Sequence, residues 1–208
     1  MFVAGADVGR KNVKFYTDAG TDIYKSTILQ GRTDFNEEDM FEIKYKNKIY
    51  TIGACNGSYT VEDDKSKDEI YKLCLISGLA RLMPKDIDNI ALVTGLPIKY
   101  YKLYKTALIE GLKDTTIKVD FNGKTKVMNF PIVEVEPEGL GLRLLDKDKF
   151  KGSQLIIDIG GRDIEVGYFE DGDLKDALSY EKGMLFLYTH IVKYINKEPD
   201  NNRIRPPT

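Results

Sequence analysis

Apolar and polar positions alternate along most of this chain, and the alternation breaks at glycine, asparagine and aspartate. Phe2 to Ala6, Asn12 to Thr17 and Thr21 to Leu29 read as three strands of a meander, with turns at Asp7 and at Asp18-Ala19-Gly20. Gly31 to Met40 is polar and acidic and reads as a loop, after which Phe41 to Tyr45 and Lys48 to Ile52 form a hairpin about Lys46-Asn47. Gly53 to Lys67 reads as flexible, so the stretch around 31–67 is expected to be a small insertion. The period then changes. Ile70, Leu73, Cys74, Ile76, Leu79 and Leu82 recur at helical spacing over Asp68 to Met83, and Pro84 ends that helix.

A short buried strand, Asn89 to Val93, runs into Thr94-Gly95-Leu96-Pro97, and Pro97 opens a tyrosine-rich helix over Ile98 to Gly111. Thr116 to Phe121 and Lys124 to Phe130 flank Asn122-Gly123, whose residues suit the positive φ of a type I′ hairpin turn. Pro131 to Glu136 is a further strand, and Pro137-Glu138-Gly139 leads into a short helix over Leu140 to Leu145. Beyond the charged link Asp146 to Lys149, Leu155 to Ile159 and Ile164 to Phe169 read as two strands joined by a tight turn. Leu174 to Tyr180 is a third strand, Met184 to Ile195 a helix, and 197–208 a polar tail expected to be disordered.

Bulk properties narrow the function classes. The chain has 208 residues, 42% hydrophobic and 31% charged, which suits a globular protein with a substantial core. A net charge of -2 gives no reason to expect non-specific binding to nucleic acid or anionic membranes. No apolar run approaches the roughly 20 residues that span a bilayer, and the N-terminus has no secretory signal pattern, so a cytoplasmic location is expected. Two cysteines and one histidine, in no metal-ligand spacing, argue against a disulfide framework, a zinc site or a Cys-His nucleophile.

The candidate chemistry lies in two similar turns. Val3-Ala4-Gly5-Ala6-Asp7-Val8-Gly9 and Ile156-Ile157-Asp158-Ile159-Gly160-Gly161 each carry an aspartate at the end of an apolar strand, followed by glycine and a second strand. Glycine lets the backbone approach a ligand, successive turn amides make an anion-binding nest, and the aspartate can hold a metal ion or its water. Lys14, on the strand leaving the first turn, can reach a phosphate as a point charge. Glu138 stands at the start of its predicted helix.

Asp7-Val8-Gly9 with Lys14, Thr94-Gly95-Leu96-Pro97, Pro137-Glu138, and Asp158-Ile159-Gly160-Gly161 come in the order and approximate spacing of the actin-like ATPases. Over residues 1 to about 196 the chain resembles the plasmid-segregation actins of the ParM/StbA type. The resemblance implies an α/β, ribonuclease-H-like fold, with a first lobe over 1–150 and the start of a truncated second lobe over 151–196. It implies ATP and Mg2+ in a cleft between them. Asp7 and Asp158 would arrange the metal. Gly9, Arg10, Lys11, Asn12 and Lys14 from one turn, with Gly160, Gly161 and Arg162 from the other, would hold phosphates, and Glu138 with Asp158 would act in catalysis. The partners implied are further copies in a filament and a DNA-binding adaptor, with no direct DNA contact and no membrane.

The pattern departs from that family at three places. Arg10 stands where a small hydroxyl residue is common, Arg162-Asp163 and Glu165 replace the usual Thr-Thr and Asp, and the later glycine-rich segment that holds adenosine has no counterpart. These departures keep two alternatives open: a filament scaffold or regulator that has lost turnover, and a small-molecule kinase of the same superfold.

Overall fold

The computed structural model describes residues 1–34, 39–59, 62–141 and 151–197. The chain divides into two compact units, Met1–Leu96 with Tyr100–Glu136, and Pro97–Lys99 with Pro137–Thr208. The second unit thus begins at Pro137, ahead of the charged link near 150, and takes in the start of the tyrosine-rich helix. Among the described residues no helix is long and apolar enough to cross a membrane.

The first unit contains a ten-stranded sheet. In chain order its strands are β1 (Phe2–Val8), β2 (Asn12–Thr17), β3 (Gly20–Lys25), β4 (Thr27–Gln30), β5 (Phe41–Tyr45), β6 (Lys48–Ile52), β7 (Ser58–Tyr59), β8 (Ile87–Leu96), β9 (Thr116–Phe121) and β10 (Lys124–Pro137), with α1 (Glu69–Leu82) before β8 and α2 (Ile98–Leu112) after it. The spatial order is β3-β2-β1-β8-β10-β9-β5-β6-β4-β7. β1 pairs antiparallel with β2 and parallel with β8.

The single strand expected over 21–29 is two strands. Ser26 is a buried corner whose N–H donates to the Lys11 carbonyl at 3.0 Å and whose Oγ donates to the Gly9 carbonyl at 2.5 Å. β3 and β4 therefore lie near opposite ends of the strand order although they adjoin in sequence, so the sheet curls. Tertiary bonding at one small polar residue outweighs the continuous strand pattern. The hairpin of β5 and β6 likewise joins this sheet through β9 instead of forming a body of its own. β10 runs unbroken through Pro131, because its pairing to β9 ends at Asn129 and proline deprives that ladder of no donor.

α1 contacts β1, β2, β3, β4 and β9, so it is enclosed by the curl. All eight residues from Leu73 to Ala80 are buried, as expected for a helix covered on nearly every side. Asp68 caps it by accepting from the Ile70 N–H at 2.9 Å.

In the second unit β11 (Ser153–Ile159), β12 (Ile164–Glu170) and β13 (Asp173–Tyr180) form an antiparallel sheet, followed by α3 (Met184–Ile195). Its small core is Leu140, Ile156 and Phe169. The opposite face is apolar and open: Ile157, Val166 and Leu178 are cross-strand neighbours, as are Ile159, Ile164 and Tyr180, and Leu155, Ile157, Ile159, Leu178 and Tyr180 are each more than half exposed. Glu138 and Gly139 form a turn. Residues 142–145 of the helix expected there, the link 146–149 and the tail from 198 lie outside the described residues.

Candidate functional site

The two turns singled out by their aspartates close in the same way. In the first unit the Gly9 N–H donates to the Asn12 carbonyl at 3.1 Å; in the second the Gly160 N–H donates to the Asp163 carbonyl at 2.9 Å. A Cβ would lie 3.0 Å from that carbonyl oxygen at either glycine, so both turns require the close approach that only glycine gives freely. Each is a hairpin in which the aspartate stands two residues before the closing glycine. The resemblance between the turns is therefore geometric as well as sequential.

They differ in the residue facing the aspartate. Asp7 is the cross-strand neighbour of Lys14, and Asp158 of Glu165. Lys14 Nζ donates to Asp7 Oδ2 at 3.1 Å, with both side chains about half exposed (57% and 46%). The lysine expected at a phosphate is here the counter-ion of the first aspartate. Arg10 Nη2 donates to Asp63 Oδ1 at 2.5 Å, and Lys11 and Asn12 complete the turn, their neighbourhood tied to Ser26.

Charge accumulates with one sign at the second turn. Glu165, 6% exposed, accepts from the Ile98 N–H at 2.7 Å, which caps the start of α2. Burial, with smaller contributions from the like charges of Glu138, Asp158 and Asp163, pushes its carboxyl up to about 7, and the Ile98 bond only partly offsets this. Arg162 lies 3.8 Å from both Asp163 and Glu181. Glu138 and Asp158 thus belong to one carboxylate neighbourhood, which Glu165 completes. In the sequence Glu165 stands out only as a substitution; the available signal is its place opposite Asp158, two residues into the strand after the turn.

The carbonyls of the second turn are held by the start of α3. Met184 and Leu185 N–H groups donate to the Gly160 and Gly161 carbonyls at 3.0 and 2.8 Å, and the Gly183 N–H donates to that of Arg162 at 2.6 Å. A Cβ on Gly183 would lie 2.5 Å from the Gly160 oxygen, so glycine at that helix start is what lets turn and helix meet.

Three further residues of the first unit carry no functional signal in the sequence. Asp63 and Lys65 lie in the segment expected to be flexible, and Tyr100 on α2. Tyr100 OH donates to Asp63 Oδ2 at 2.7 Å. Buried Lys65 donates to the Gly95 carbonyl at 3.2 Å, while Thr94 Oγ1 donates to Ala6 O at 2.9 Å and meets Tyr71 OH at the same distance. The Thr-Gly-Leu-Pro stretch is thereby bonded to the first turn's own strand.

Among the described residues no three His, Cys, Asp or Glu side chains converge to hold a metal ion by themselves. Mg2+ keeps several waters and binds through one or two carboxylates plus phosphate oxygens. Each turn carries one carboxylate of the kind such an ion takes, Asp7 in the first and Asp158 in the second.

A family model described as the N-terminal domain of actin like proteins matches residues 5–141. No curated protein matches the chain. Among solved structures it is similar to an apo ParM protein of pSK41, at 18% identity and TM-score 0.76 over 94% of this chain and 70% of that one. It is similar to an archaeal actin homolog, Ta0583, in complex with ADP, at 18% identity and TM-score 0.81 over 99% of this chain and 68% of that one. An AlfA filament bound to AMPPNP matches at 16% identity and TM-score 0.68, over 94% of this chain and 77% of that one. At such identities the likeness establishes the fold.

Proposed function

For this chain, which belongs to the actin-like proteins, we propose a nucleotide-dependent, filament-forming role of the plasmid-segregation type, with ATP and Mg2+ as ligands. The observation that carries the reading is the identical closure of the two Asp-x-Gly turns, Gly9 to Asn12 and Gly160 to Asp163. Similar folds solved with ADP and as a filament with AMPPNP support it.

In this reading the turn amides, Lys14 and Arg10 receive phosphate oxygens. Asp7 on the first turn and Asp158 on the second would each offer a carboxylate to Mg2+, and the ion would neutralise phosphate charge when bound. That charge would also offset the like charges of Glu138, Asp158 and Asp163 around Glu165. Glu138 orients the attacking water and Asp158 assists it. Phosphoryl transfer needs positioning and charge stabilisation more than covalent chemistry, so this set is adequate. The open apolar face of β11 and β13 offers surface for protein contacts. DNA is reached through an adaptor, in keeping with a net charge of -2.

The test is ATP turnover and light-scattering assembly of this chain beside Glu138→Ala and Asp158→Ala. Turnover is expected to fall at least ten-fold in each variant; full activity in both would remove the mechanism. A scaffold that binds without turnover is favoured by one observation, the engagement of Arg10 by Asp63, and would show Mg-ATP binding with no phosphate release.

A further inference from the structure

Arg10 occupies the middle of the first turn, and its surroundings are built to hold it. Asp63 uses both carboxylate oxygens: Oδ1 accepts from Arg10 Nη2 at 2.5 Å and Oδ2 accepts from Tyr100 OH at 2.7 Å. The guanidinium side chain is 21% exposed, so it lies against the protein instead of extending into solvent. A mobile acidic loop would not hold an arginine in this way.

The segment bearing Asp63 is held independently of Arg10. Asp64, 8% exposed, accepts from the Ser66 N–H at 3.1 Å and from Ser66 Oγ at 2.5 Å, and pairs with Lys67 at 3.0 Å. These bonds hold the Asp64 carboxyl below its usual range even though burial opposes them. Lys65 is anchored on the Gly95 carbonyl and lies 5.4 Å from the Tyr71 ring centre. Asp68 then caps α1. The carboxylate that meets Arg10 is therefore placed by β8, α1 and α2 before any ligand arrives.

Arginine is a flexible side chain whose planar fork recognises carboxylates and phosphates with the same geometry. A guanidinium can serve a fixed carboxylate along one edge and a phosphate along another, with the carboxylate setting its plane. Ligand groups aligned by such outer partners lose less freedom on binding.

We propose that Asp63 and Tyr100 are positioning residues that set Arg10 for the terminal phosphates of a nucleoside triphosphate. The inference rests on the nucleotide reading above and adds to it the residues through which this chain uses the arginine of its first turn. Asp63 acts through Arg10 and has no contact of its own with the ligand. Removing Asp63 should therefore matter only while Arg10 is present.

The experiment is calorimetric titration of the full chain with Mg-ATP and, separately, with magnesium tripolyphosphate, for wild type, Arg10→Ala, Asp63→Ala, the double variant and Tyr100→Phe. Loss of one charge-assisted contact predicts about a ten-fold weakening for Asp63→Ala, and a change under about two-fold for the same substitution in the Arg10→Ala background. Tyr100→Phe should weaken binding about two- to three-fold, since one supporting hydrogen bond is lost. Circular dichroism checks folding; if Asp63→Ala does not fold, Asp63→Asn removes the charge while keeping an acceptor for Tyr100 and supports the same comparison. Unchanged or tighter binding by the Asp63 variant, or an equal loss in the Arg10→Ala background, overturns the inference while leaving the nucleotide reading intact. Failure of the wild type to bind either ligand overturns both.

Discussion

Glu165→Gln isolates the most perturbed carboxyl at the second turn. Glu165 is 6% exposed, carries the cap of α2 and is surrounded by Glu138, Asp158 and Asp163. Its pKa rises from 4.5 to about 7 on folding, so the folded state holds a proton that the unfolded state has released between those values. Stability from this proton is fully present below 4.5 and is lost as pH rises through 7. At about 1.4 kcal/mol for each pH unit between the two values, the loss is on the order of 3 kcal/mol. Glutamine keeps a carbonyl for the Ile98 N–H and cannot ionise. The urea midpoint of Glu165→Gln should match wild type near pH 4.5 and exceed it increasingly up to about pH 8, with the gap levelling off there. The variant-minus-wild-type difference cancels the titration of groups that do not interact with Glu165. Parallel profiles from about pH 5 to 8.5 would show that Glu165 is not protonated on folding, and the account of the charged second turn would fail.

Asp7→Asn should leave stability within about 0.5 kcal/mol of wild type, because its pair with Lys14 is half exposed; the same change should weaken Mg-ATP binding at least ten-fold by calorimetry. Gly183→Ala places a Cβ 2.5 Å from the Gly160 carbonyl oxygen, so urea denaturation should show a loss of about 1–3 kcal/mol; an unchanged midpoint would deny the close approach of α3 to the turn. Asp68→Ala removes the acceptor for the Ile70 N–H at the start of α1 and should cost about 1 kcal/mol, with Asp68→Asn recovering most of it.

The sequence alone determined the local elements and the two turns. Alternation placed the Phe41–Tyr45 and Thr116–Phe121 strands at their observed bounds, Asn122-Gly123 marked its hairpin because both residues take positive φ, and glycine after each Asp-x announced a tight closure. These properties depend on neighbours within a few residues, which a linear reading contains. Tertiary structure decided what those neighbours cannot encode. Ser26 turns a corner because its partners are at Gly9 and Lys11, Lys65 and Asp63 are held because they find partners at Gly95 and Tyr100, and the Glu165 carboxyl is pushed up to about 7 by burial, with smaller contributions from three nearby carboxylates. Long-range hydrogen bonds and desolvation depend on which surfaces the fold brings together, so a polar residue has the same pattern in the sequence whether it ends in solvent or in a buried bond.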